Sequence, residues 1–436
     1  MQIEQPTFPL TRDAFAAALR MGHGRAKQQI DRYGSTELED KIIEACVSCL
    51  SYDPQCEAAR APWLVSIVNG VNLDAKVTQA IAAMIQEPPP ENHRDMDQRS
   101  AILKELAAAG SEVARRLLYL SLTRMSHTSD VIGADQIVAL DGAKGLIHVA
   151  RQLGRWSQAD PDFWLDDQFT AQFDASAGTG AGLAVLERET EIDQDVAGYL
   201  AGMRKARESQ SRTSSRRFDG TGYSGADVVA HVHNHPKDQC HWLRLWGAQA
   251  ASDQHEVVFA ALLVSNKPEQ VKRLFRSFGK TGVPRFDNRL LQWIAHPDKR
   301  LRWAALNALA PLEHLELRQV ALQQIADGEM AFGVALLVKN FEAGDFTLCA
   351  ESLQKLEDAD DAHSLLGSLL DLCEAHPGAE ALDCLLCVHE LSPCSTCRKR
   401  AVQAMTATNT APQWVLTEAA LDADPDTRAL AVATSS

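Results

Sequence analysis

Sustained runs of alternating β-branched and polar residues are scarce in this chain, which argues against an architecture built on half-buried strands. Aromatic residues make up only 6%. No run of about 18 apolar residues occurs, so no membrane-crossing helix is expected. The first fifteen residues, MQIEQPTFPLTRDAF, lack the basic and apolar regions of a secretory signal. A cytoplasmic chain with no membrane partner is therefore expected, and its ten cysteines are expected to be reduced thiols. No G-x-S-x-G, P-loop or H-E-x-x-H motif occurs, and no carboxylate pair stands apart from the many solvated Asp and Glu residues. Basic charge is also short: the net charge is −15, which opposes non-specific binding to nucleic acid or to an anionic membrane.

What the chain does have is helical period. RDAFAAALRMGHGRAKQQI repeats apolar residues at three- and four-residue spacings. Thr36-Glu37-Leu38-Glu39 reads as a capping box ahead of KIIEACVSCL. Similar segments alternate with short turns through most of the 436 residues, predicting an all-α fold. Two stretches differ. DASAGTGAGLA, from Asp174, has the composition of a flexible linker, and its Gly178, Gly180 and Gly182 lack the strand–turn–helix context of a nucleotide loop. RKARESQSRTSSRR, from Arg204, reads as a mobile charged connector. The expected division is an N-terminal helical segment 1–173, a Gly/Ser/Arg-rich linker 174–224 and a C-terminal repeat segment 225–436.

The repeat signal is clearest in the C-terminal half. HPDKRLRWAALNAL at His296–Leu309 and DADPDTRALAVA at Asp422–Ala433 share a Pro-Asp, an arginine shortly after it, and an Ala/Leu helix. Proline is tolerated in a first helical turn, and aspartate favours the positive end of a helix. Pro297 and Pro425 lie 128 positions apart, close to three units of about 43 residues. These copies resemble the bacterial HEAT-like repeat proteins, and YDPQCE, LRLWG and SPCSTCR resemble stretches of an uncharacterised group among them. The resemblance implies an α-solenoid of HEAT-like helical pairs and supplies no activity.

Three clusters are candidate sites. CLLCVHELSPCSTC holds Cys384, Cys387, Cys394 and Cys397 with His389 between the pairs, enough for a structural zinc. A similar C-x2-C-x6-C at Cys46, Cys49 and Cys56 lacks the fourth ligand and points to a repeated helix–turn–helix joint packed with small thiols. A disulfide or redox switch is the third reading. AHVHNHPK places His231, His233 and His235 at alternate positions, and its H-N-H-P is similar to the metal-binding tetrapeptide of JAB/MPN-type metalloproteases. The S-x-x-D which that family needs downstream is absent, and Ser224 and Pro236 instead bracket a short helix. Trp242 and Trp246 read as a core stripe. Last, Arg300, Arg302, Arg398, Lys399 and Arg400 would line one surface if the chain held nucleic acid. The sequence favours a non-catalytic protein-binding scaffold with no cofactor. A nucleic-acid-binding solenoid and a metal-dependent hydrolase using His231–His241 are the alternatives.

Overall fold

A computed structural model describes residues 3–53, 57, 60–86, 93–124, 131–160, 162–163, 165–214, 222–279, 281–353 and 358–434. Among these, the chain forms 26 α-helices and three short 3-10 helices, with no strand. The all-α expectation therefore holds, and no helix among the described residues is long and apolar enough to cross a membrane. The chain divides into two compact units. An N-terminal unit comprises Pro6–Arg216 together with Thr417–Ser436. A central unit comprises Arg217–Leu416 together with Met1–Gln5.

Within the N-terminal unit, helices such as Arg12–Met21, Glu39–Val47 and Ala61–Gly70 bury Phe15, Leu19, Ile42, Ile67 and Val68 completely or nearly so. The last segment of the chain joins this core. Glu418, 2% exposed at its side chain, accepts from His23 Nδ1 at 2.7 Å and from Arg25 Nε at 2.8 Å. Trp63 Nε1 donates to the Leu421 carbonyl at 2.9 Å, and the Ala423 amide donates to Gly22 O at 2.9 Å. A buried carboxylate held by an arginine and a histidine is strongly position-specific, because removing the arginine leaves its charge uncompensated away from water.

Three local expectations need correction. The stretch read as a linker contains the end of the Gln168–Ala177 helix, the Ala181–Glu189 helix and the Gln194–Ser214 helix. Its glycines serve a turn rather than flexibility. Gly178 and Gly180 have φ of 101° and 83°, values that a side-chain-free residue adopts without strain. The Asp174 carboxylate accepts from the Gly180 and Gly182 amides, both at 2.7 Å, and closes the turn. The Thr36–Glu39 capping box does not form: Leu38 occupies the N-cap of Glu39–Val47 without a side-chain bond, and Glu37 sits at φ 64°. The two repeat copies also differ in register. Pro425 opens its helix as its first residue, with Asp424 bonding Thr427 N. Pro297 instead precedes the cap, and Asp298 itself accepts from Arg300 N at 2.8 Å to start Lys299–Leu309.

In the central unit, the Gly225–Asn234 helix starts at a true capping box made by Ser224 and Asp227. Helices pack mostly on the next helix in sequence and on the one after it. Leu315–Ala326 packs on Met330–Leu337, which packs on Ala359–Ala375. That helix packs in turn on Leu382–Leu391 and Ser395–Ala407. Trp246 is buried as a core residue, with its Nε1 donating to Tyr223 O at 2.8 Å.

Candidate functional site

One concavity of the central unit is basic. It encloses about 520 Å³ and is lined by Arg244, Lys272, Phe275, Arg276, Gly279, Arg300, Trp303, Ala304 and Asn307. The local periodicity builds it. Lys272, Phe275, Arg276 and Gly279 stand at i, i+3, i+4 and i+7 from the Pro268–Phe275 helix through the 3-10 turn that follows. Arg300, Trp303, Ala304 and Asn307 repeat the same spacing on Lys299–Leu309, so each set forms one stripe. These two helices pack on each other. Arg244 is contributed by a third helix, Leu243–Gln249, which packs on the 3-10 turn. That approach depends on Gly247, because a Cβ there would stand 1.8 Å from Ser277 O.

The groove's charge is largely uncompensated. Lys272 pairs with Glu269 at 2.9 Å and lies 3.8 Å from Asp298. The side chains of Arg244, Arg276 and Arg300 have no hydrogen bond or ion pair among the described residues. Arg276 Nη1 is shielded from solvent without an acceptor. Burial first, and then the positive charge of Arg244, lower the Arg276 pKa from the usual arginine value. The groove therefore combines an ungratified buried donor, two further unpaired guanidinium groups and an aromatic face at Trp303. An anionic group placed there would satisfy the donor and relieve the mutual repulsion. The lining contains no Asp, Glu, His, Cys, Ser or Thr that could act as a base or nucleophile.

Of the five basic residues expected to share a surface, only Arg300 lines this groove. Arg302 pairs with Glu329 at 3.0 Å, with its guanidinium 4.8 Å from the centre of the Phe332 ring. Arg400 pairs with Asp371 and Glu374 at 2.8 and 2.7 Å. Arg398 is 1% exposed and donates to Ser392 O, and Lys399 is half-buried. Arg244, Lys272 and Arg276 escaped sequence reading. A signal for Lys272 alone was K/R-x-x-aromatic at Lys272–Phe275, matched by Arg300–Trp303 on the next long helix.

The four C-terminal cysteines separate into two environments. Cys384 and Cys387 lie in the Leu382–Leu391 helix, and both are fully buried. The Cys384 thiol donates to Phe346 O at 3.3 Å and contacts Cys373, and its pKa is raised by that contact and by burial. Burial pushes Cys387 up to about 11. Cys394 caps the Ser395–Ala407 helix and Cys397 lies in its first turn. Contact with the Cys397 thiol, more than any other influence, holds the Cys394 pKa well below the usual thiol value. A ring nitrogen of His363 and the sulfurs of Cys394 and Cys397 lie within 4.8 Å of one another, whereas Cys384 and Cys387 join no such group. No disulfide links the nine described cysteines. In the N-terminal echo, Cys46 is buried and pushed up to about 12, and Cys49 lies 2.9 Å from Ser51 Oγ. Cys56 lies outside the described residues.

The histidine run is helical, not extended. His231 and His233 belong to Gly225–Asn234 and His235 ends it, so the alternating positions do not share a face as they would on a strand. His231 Nε2 meets Asp238 Oδ2 at 2.7 Å and its ring stacks on that of His235 at 4.3 Å. Asp238 also caps the turn by accepting from Cys240 N at 2.9 Å. His231, Asp238 and Cys240 form a compact group, from which His233, His235 and His241 are absent.

Comparison with known proteins returns no matching protein-family model, no matching curated protein and no matching solved structure.

Proposed function

We propose that this chain is a non-catalytic binding protein built from stacked HEAT-like helical pairs, and that the central unit's basic groove holds an acidic segment of a protein partner. The observation that carries the reading is the set of unpaired guanidinium groups at Arg244, Arg276 and Arg300, in a chain whose net charge is −15. Such a local reversal of sign focuses an anionic ligand onto one place. Sequential packing of each helix on the next two supports the helical-pair reading within each unit. The lining supports binding over catalysis, because it holds no carboxylate, imidazole, thiol or hydroxyl and its lysine, Lys272, is paired with Glu269. The Trp303 ring adds an apolar face against which an aliphatic or aromatic side chain of the partner can rest. A cytoplasmic setting, in which the thiols stay reduced, is part of the proposal.

An acidic protein segment fits better than a nucleic acid. The groove is compact, and Arg302 and Arg400, which would extend a phosphate track, are already neutralised by carboxylates. Affinity purification of the full chain tests the reading. It predicts one dominant protein partner at near-equal stoichiometry, released by moderate salt and lost with Arg276→Glu. Capture of nucleic acid by the full chain, abolished by Arg276→Glu, would replace the protein reading with the nucleic-acid one. Capture of the same partner by wild type and Arg276→Glu would remove the groove from the account.

A further inference from the structure

We propose that Cys394, Cys397 and His363 form a zinc(II) site with an open fourth position. The donor atoms of these three residues lie within 4.8 Å of one another. A tetrahedral zinc with bonds of about 2.3 Å to sulfur needs S···S separations of about 3.8 Å, so a small inward closure of the side chains suffices. Two thiolates and an imidazole form a soft donor set that selects zinc over magnesium or calcium. The four-cysteine set is not assembled, because the Cys384 thiol is turned to Phe346 O and Cys373.

The surroundings support ligation. Cys394 occupies the N-cap of the Ser395–Ala407 helix and Cys397 lies in its first turn, so one helix end presents both sulfurs. His363 comes from the Ala359–Ala375 helix, which packs directly on Ser395–Ala407. A bound ion would therefore tie two helices together. The cysteines are nearly buried, at 2% and 5% exposure, whereas His363 is half-buried and leaves the site reachable from solvent. Zinc displaces the thiol protons, which pass to solvent, and the fourth position takes water or a group from a partner.

The test uses the full chain, purified under reducing conditions and titrated first with zinc and then with cobalt(II). Metal analysis is expected to give one zinc per chain, and cobalt to give thiolate charge-transfer absorption with tetrahedral visible bands. Cys397→Ser and His363→Gln are each expected to weaken zinc binding by more than about 10-fold, the smaller of the losses that outer partners alone produce. Cys384→Ala and Cys387→Ala are expected to leave binding unchanged. Circular dichroism checks that each variant is folded. If Cys397→Ser fails to fold, the half-exposed His363→Gln decides. Absence of stoichiometric zinc after titration overturns the proposal. So does full zinc retention in folded His363→Gln, and so does loss of zinc in folded Cys384→Ala, which would restore the four-cysteine site.

Discussion

At Gly180 a φ of 83° meets open space, so the only objection to a side chain there is conformational. Gly180→Ala should cost about 1 kcal/mol in thermal or denaturant unfolding, with Gly180→Asn less damaging because asparagine tolerates the left-handed region. The Asp174 carboxylate beside it is held below its ordinary value of 3.8 by the Gly182 amide and then by the Gly180 amide. A depressed folded-state pKa contributes stability above the ordinary value, and that stability is lost as pH falls through the lower, folded one. The gap in melting temperature between the wild type and Asp174→Ala should therefore be constant well above the ordinary value of 3.8 and should close as pH falls below it and through the lowered folded-state value. A gap that persists in acid would contradict the assignment. Glu418 is a harsher case. Its buried carboxylate faces both His23 and Arg25, so Glu418→Ala should destabilise by about 3–5 kcal/mol, read by denaturant unfolding.

Among the elements, helices were legible and their partners were not. A 3.6-residue period shows in any single segment, so the all-α fold could be read from stretches such as Lys299–Leu309. The Ser224 cap of Gly225–Asn234 was likewise legible, because its residues are three apart. The groove was not, since Arg244, Lys272 and Arg300 lie on three helices and meet only through packing. The C-x-x-C pairs misled for the same reason: spacing reports a shared helix face, and the ligand that joins Cys394 and Cys397 is His363, more than thirty residues earlier. Composition misled at residues 174–184, where glycines supply turn geometry to closely spaced helices. Gly247 shows how an element sets the site. Its replacement by alanine drives a methyl group into Ser277 O and pushes apart the helix and the 3-10 turn that carry Arg244 and Arg276. Gly247→Ala should cost about 1–3 kcal/mol and weaken ligand binding in the groove, although the substituted residue does not line it. Calorimetry and ligand titration on the same preparation check both effects.

For the whole molecule, the division into units does not follow chain order. The N-terminal unit is completed by Thr417–Ser436, which engages it through Glu418, Leu421 and Ala423. Truncation after Leu416 should therefore raise amide exchange in Gly24–Tyr33 and Ala61–Gly70, far away in sequence, and leave protection in Leu315–Ala326 largely intact. The charge distribution has its own consequence at this scale. A chain of net charge −15 with a basic groove should repel most anionic partners and accept those that place an acidic segment at one position. The most direct measurement is fluorescence anisotropy of a labelled glutamate- and aspartate-rich peptide, titrated with the full chain and with Arg276→Glu over a range of salt. Saturable binding that weakens with salt and falls at least about 10-fold in folded Arg276→Glu is the predicted result. Equal binding by the two proteins, or none by the wild type at low salt, would contradict the account.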